Sequence, residues 1–235
     1  IPLSYIFKRE PQGFEGIQDK KQLATSIENS TPSTEDRIEF TLKEALKTRT
    51  FWIVAISHSM VNMSFTAIVV HGVPHLTDIG MSLSLAGGIV AIYNMISLPS
   101  QIIGGWLGDN LNKRILLFCL LLIQGAAVIV FALTTNPTQA YIFAILFGVG
   151  LGGRTAIYHA LRADYFGGKA FASITGIYGI PINITMAIAP ILVGILFDIQ
   201  HTYMYGMLFL GILAILGGIF MLTATHPKKF VNNSI

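Results

Sequence analysis

Arg154 is the side chain of this sequence best suited to recognising a charged partner. It is the one charged residue in the apolar run Ala140–Leu161, about two helical turns from the end of that run. Its guanidinium presents a planar fork of donors that suits a carboxylate. Tyr158 follows one turn later on the same helical face, with a hydroxyl able to donate to the same anion. In an earlier apolar run His58, Asn62 and Thr66 recur at i, i+4 and i+8, which makes a polar stripe on a helix. An imidazole there can bind substrate or carry a proton near neutral pH. Asn94, Ser97 and Gln101 share a face around Pro99, and Asn183 stands between Pro181 and Pro190. Each proline frees a backbone carbonyl, so Pro99, Pro181 and Pro190 are candidate hinges. Groups of this kind suit binding and moving a small organic anion. It does not make or break bonds, because the four acids after residue 50 (Asp78, Asp109, Asp164, Asp198) all lie outside the apolar runs. There is no metal-ligand cluster, no nucleophile triad and no phosphate loop, so neither a metal nor a cofactor is expected.

Structural roles compete with these assignments. Arg154 can snorkel, or pair with Asp164 or a backbone carbonyl as a clamp. Gly148, Gly150, Gly152 and Gly153 precede it and point to close helix contact, which favours the clamp. Tyr158 can anchor at an interface, and His58 can hydrogen-bond between helices. His71 and His75, at the outer end of that run and just beyond it, are expected to be solvated.

The elements that must position these residues are membrane helices. Hydrophobic residues make up 53% of the chain and charged ones only 11%, with a mean hydropathy of +0.65. Soluble domains carry about 25% charged residues. Six apolar runs are long enough to cross a bilayer: Phe51–Val73, Leu83–Leu107, Ile115–Leu133, Ala140–Leu161, Phe171–Phe197 and Met204–Ala224. The predicted fold is all-α, a polytopic bundle of six transmembrane helices over residues 51–224. Ile1–Phe7 reads as the end of a preceding span, so the chain is expected to begin mid-protein. Residues 8–50 read as a cytoplasmic loop with a short amphipathic helix near Thr41–Arg49, and residues 225–235 as a tail.

Charge sets the expected orientation. Residues 1–50 hold eight basic and eight acidic side chains, so the net +3 arises in the membrane part and does not indicate a nucleic-acid partner. Fourteen basic residues fall on one side of the six spans: the leading eight, Lys113, Arg114, Arg162, Lys169, Lys228 and Lys229. The other side receives none, which puts both ends in the cytoplasm of a cell membrane. The polar content also divides the spans. The first and fourth are rich in polar groups and should line a path; the third (Cys119, Gln124) and sixth (Tyr205, Thr223) read as lipid-facing scaffold.

The hinge between the second and third spans, Gly105-Trp-Leu-Gly-Asp109-Asn-Leu-Asn-Lys113-Arg114, resembles the signature loop of the major facilitator superfamily. Gly105, Asp109, Lys113 and Arg114 match that pattern, whereas Asn110 stands for its usual base and Asn112 for its usual glycine. A fainter repeat, Gly194-x-x-x-Asp198, ends the fifth span. Three further stretches are similar to the oxalate/formate antiporter and monocarboxylate porter branch: Lys8–Asp19, Glu44–Trp52 and Arg162–Phe171. The resemblance implies the C-terminal half of a twelve-helix secondary carrier, with inverted three-helix repeats and a missing N-terminal half as its partner. It also implies that Asp109 and its neighbours latch the two halves, Asp109 pairing with Arg114 or with the helix start near Phe171. The expected function is alternating-access transport of a small, monocarboxylate-like organic anion, as symporter or antiporter. Arg154 would neutralise it, and His58 and Asn62 would orient it. A carrier of neutral or cationic solutes, with Arg154 structural, is the first rival. A membrane sensor or scaffold without flux is the second.

Overall fold

A computed structural model of the chain describes residues 39–168 and 170–227. The expected end of a preceding span at 1–7, the loop up to residue 38, Lys169 and the tail from 228 lie outside the described residues. Among the described residues there are seven helices and no strand. A short α1 (Leu42–Lys47) comes first, then six long helices: α2 (Arg49–Asp78), α3 (Leu83–Asn110), α4 (Lys113–Ala132), α5 (Pro137–Phe166), α6 (Phe171–Gln200) and α7 (Met204–Met221). Each long helix is apolar and long enough to cross a membrane, so the chain is an integral multi-pass membrane protein.

The boundaries follow from capping. Thr41 and Glu44 form a reciprocal capping box on α1, as the Thr-x-x-Glu spacing predicts. Thr48 starts α2, which continues through Pro74 well past the expected end at Val73. Asn112, the departure from the signature loop, caps α4: its Oδ1 accepts from the N–H groups of Arg114 and Ile115. Only Leu111 and Asn112 separate α3 from α4. Asn136 with Pro137 starts α5, and Gly167 closes it at φ +75°, a conformation that favours glycine.

The six helices pack as an arc in the order α3, α5, α4, α7, α2, α6. Exchanging each helix for the one three places away in sequence reverses this order onto itself, as an inverted repeat of three helices requires. The Gly105/Asp109 and Gly194/Asp198 pairs accordingly fall on α3 and α6, the two ends of the arc. Those two helices are the least buried of the six. Glycines permit the tightest approach. A Cβ on Gly104 would lie 2.6 Å from the Cα of Gly153, and one on Gly148 would lie 2.7 Å from the carbonyl oxygen of Tyr93, so α3 seats on α5 backbone to backbone.

Candidate functional site

The apolar interior divides into two cores. One gathers Phe51, Val61, Leu117, Leu121, Ile157, Tyr158 and Tyr178. The other gathers Met63, Ile68, Ala127, Phe131, Phe143 and Phe147. On α2 the change from one core to the other falls between Val61 and Met63, on α4 between Leu121 and Ala127, and on α5 between Phe147 and Ile157. Asn62, Gln124 and Arg154 occupy those three gaps. The seam is therefore a buried polar layer midway along the bundle.

In that layer Arg154 is only 2% exposed. Its Nε donates to Gln124 Oε1 at 2.6 Å and its Nη2 to Asn62 Oδ1 at 3.2 Å. The Nε/Nη2 edge, which commonly takes a carboxylate, is thus spanned by two amide oxygens from different helices. Nη1 has no protein partner among the described residues. Asn62 is in turn oriented by its Nδ2, which donates to the carbonyl of His58. The expected partner Asp164 is not used: it pairs with Lys113 at 2.8 Å at the end of the bundle, nearly three helical turns from Arg154 along α5. A buried cation that meets only neutral amides keeps its full charge, and burying it has a desolvation cost that the amides only partly offset.

A second layer lies one turn further along α5. The His58 ring stacks on Tyr158 with centroids 3.9 Å apart, and its Nδ1 lies 2.9 Å from the Tyr178 hydroxyl. Ser57 Oγ donates to the carbonyl of Gly217 at 2.8 Å, so the Tyr158 hydroxyl, 3.0 Å away, must donate to Ser57. The Tyr158 proton is therefore committed to α2 and is not available to an anion in this arrangement. Arg162 packs over the Tyr178 ring, 4.5 Å from guanidinium carbon to centroid, and donates to the carbonyl of Tyr158 and towards His159 Nδ1.

Other predicted residues stand apart from these layers. Asn94 is exposed on α3 and donates to the carbonyl of Val90 in its own helix; Gln101 and Asn183 are exposed on α3 and α6. Pro99 sits within an unbroken α3, and Pro181 and Pro190 within an unbroken α6. In the hinge, Asp109 is exposed and has no ion pair among the described residues, while Arg114 donates to the carbonyl of Ala224 at 2.6 Å. The expected Asp109–Arg114 contact is not made; the Arg114 guanidinium is engaged by the segment after α7 instead. His75 is buried rather than solvated, its Nε2 3.0 Å from the carbonyl oxygen of Phe131, and His71 reaches the carbonyl oxygen of Pro190 at 2.9 Å. Because α2 continues through Pro74, both imidazoles stay inside the bundle.

Sequence reasoning missed Gln124, Arg162 and Tyr178. Gln124 belongs to the span read as lipid-facing, yet it is fully buried. Its signal was that a polar amide in an otherwise apolar helix must find a partner. The charge count places Arg162 in a loop, whereas it is 4% exposed and lies within α5. The spacing Arg154, Tyr158, Arg162 already placed it on the face of the other two. Tyr178 stands about two turns into α6 and shows no comparable pattern.

The description of the Major Facilitator Superfamily matches residues 23–234. A probable nitrate/nitrite transporter, NarK2, from two strains of Mycobacterium tuberculosis (CDC 1551 / Oshkosh and ATCC 25618 / H37Rv), is 27% identical over 200 residues. That match covers 81% of this chain and 49% of each relative, so the chain spans about half the length of those relatives. Among solved structures, a peptide transporter POT in complex with alafosfalin superposes with a TM-score of 0.65 at 20% identity, over 73% of this chain and 37% of that one. An auto-inhibited POT family peptide transporter also gives 0.65, at 17% identity, over 77% and 39% respectively. At such identities the structures speak for the fold alone, and they agree with the arc of six helices. With nine-tenths of its length inside the family match, this chain belongs to the major facilitator superfamily, a family of membrane carriers and not of enzymes.

Proposed function

We propose that the chain is the C-terminal half of a secondary carrier that moves a small, monocarboxylate-like organic anion by alternating access. The observation that carries this reading is Arg154, a buried guanidinium held by two neutral amides and by no carboxylate among the described residues. A cation left uncompensated midway along the bundle favours a mobile anion beside it. A carboxylate and the nitrate or nitrite in the relative's name share one feature, a delocalised negative charge on two oxygens, which matches a guanidinium fork. In this reading Asn62 and His58 orient the anion, and Asn94, Gln101 and Asn183 on the exposed faces of α3 and α6 line the route with the N-terminal half. Pro99, Pro181 and Pro190 bend as the cavity alternates, while Gly105, Asp109, Lys113 and Arg114 bias which side is open. The loop charges favour a cytoplasmic location for both ends in a cell membrane, although Arg162 no longer counts among them.

A second reading has its own observation. Arg154 ties α5 to both α2 and α4 and could serve only as a clamp in a carrier of neutral or cationic solutes. Uptake of labelled mono- and dicarboxylates and of nitrate by the complete polypeptide in proteoliposomes separates the two. Arg154→Lys should raise the KM for the anion at least about tenfold, because a point charge does not replace the fork. An unchanged KM in that variant would leave Arg154 as a clamp. Absence of any saturable uptake, with a captured protein partner instead, would favour a sensor or scaffold.

A further inference from the structure

The polar layer holds a donor without an acceptor. An arginine Nε–H can only donate, so Gln124 must turn Oε1 towards Arg154, which fixes the amide and points Nε2 the other way. That Nε2 is buried and has no hydrogen-bond partner among the described residues. Buried donors are almost always satisfied, and an orphan in a well-packed interior calls for an explanation. Gly150 sharpens the point, since a Cβ there would lie 2.8 Å from the Gln124 Cβ. A glycine on α5 thus makes room for a polar side chain that uses only half of its hydrogen-bonding capacity.

We propose that Gln124 is a specificity-determining residue of the anion site. Its neutral amide fixes the Arg154 fork while leaving the charge for the substrate, and its unused Nε2–H donates to that anion. The inference rests on the anion reading above but can fail separately from it. A glutamate at this position would supply the same acceptor to Arg154 and would also cancel its charge and remove the donor. Gln124 therefore decides whether the cation is available, which a merely structural amide would not.

The test uses the complete polypeptide in proteoliposomes, with formate and nitrate as probes, alongside ligand-free melting temperatures in detergent. Gln124→Glu should raise the KM for both anions about a hundredfold or abolish their uptake, without lowering the melting temperature. Gln124→Met, which keeps the length but loses both polar groups, should raise KM at least about tenfold. If Gln124→Met fails to fold, the near-isosteric Gln124→Glu carries the test alone. Wild-type KM values in Gln124→Glu, with only the melting temperature altered, would overturn the role of Gln124 and leave the anion reading standing. No saturable uptake of either anion by the wild type would overturn both.

Discussion

The guanidinium carbon of Arg162 stands 4.5 Å from the centre of the Tyr178 ring, joining α5 to α6 where the two backbones otherwise keep apart. The pair is almost wholly buried, so the cation faces the ring with little water between them. A cation–π contact of this kind contributes about 0.5–2 kcal/mol. Arg162→Met, Tyr178→Leu and the double variant, melted in detergent, should yield a coupling energy within that range. Strict additivity would mean that Arg162 acts through its bonds to Tyr158 and His159 or its contact with the Phe171 ring rather than through Tyr178.

The glycines of the hinge should separate by contact. Gly104 faces the backbone of Gly153, where nothing can yield, whereas a Cβ on Gly105 would meet only the Cβ of Ala156 at 3.8 Å. Gly104→Ala should therefore destabilise by about 1–3 kcal/mol or more through overpacking. Gly105→Ala should change stability by less than about 1 kcal/mol, even though Gly105 is the residue that matches the signature loop. Thermal melting of both variants decides the matter, and equal damage would place a contact to Gly105 outside the described residues.

The bundle was legible because lipid imposes a coarse rule that sequence shows directly: runs of about 20 apolar residues must be helices. All six were found, with ends off by a few residues where caps or Pro74 extended or shortened them. Arg154 and Asn62 were legible for the opposite reason, since polar groups in such runs are costly. What could not be read was who meets whom. That Gln124 faces Arg154 depends on how α4 and α5 are rotated about their axes, which Gly150 and Gly153 set by close approach, whereas Asp164 lies ten residues along the same helix and out of reach. Tyr178 and Arg162 join only once α6 folds back along α2, a contact with no local signal.

His75 provides a check on burial. Its Nε2 reaches the carbonyl oxygen of Phe131 near the end of α4, and its ring packs 4.8 Å from the Phe131 ring. His75→Ala should cost about 1–3 kcal/mol through the lost hydrogen bond and the space left behind. His75→Gln, which can still donate, should recover part of that loss in a melting experiment. A neutral His75→Ala would mean that Thr134, whose backbone N–H also donates to this carbonyl, suffices alone.

The hinge charges allow a graded prediction. Lys113 and Asp164 lie 2.8 Å apart, but the Asp164 side chain is 51% exposed, so water screens the pair. Asp164→Asn should cost less than about 1 kcal/mol, and that loss should vanish near 1 M salt, where screening acts within about 3 Å. Arg114 differs because its guanidinium donates to a backbone carbonyl, Ala224, that it helps to hold against the bundle. Arg114→Ala should cost about 1–3 kcal/mol, and added salt should not remove the loss. Asp109 has no ion pair among the described residues, so Asp109→Asn should leave melting unchanged. If Asp109 biases the opening of the carrier, the same variant should still alter transport rate in proteoliposomes. A change in melting as large as that of Arg114→Ala would instead make Asp109 a structural tie in the ground state, and the latch would have to be sought elsewhere.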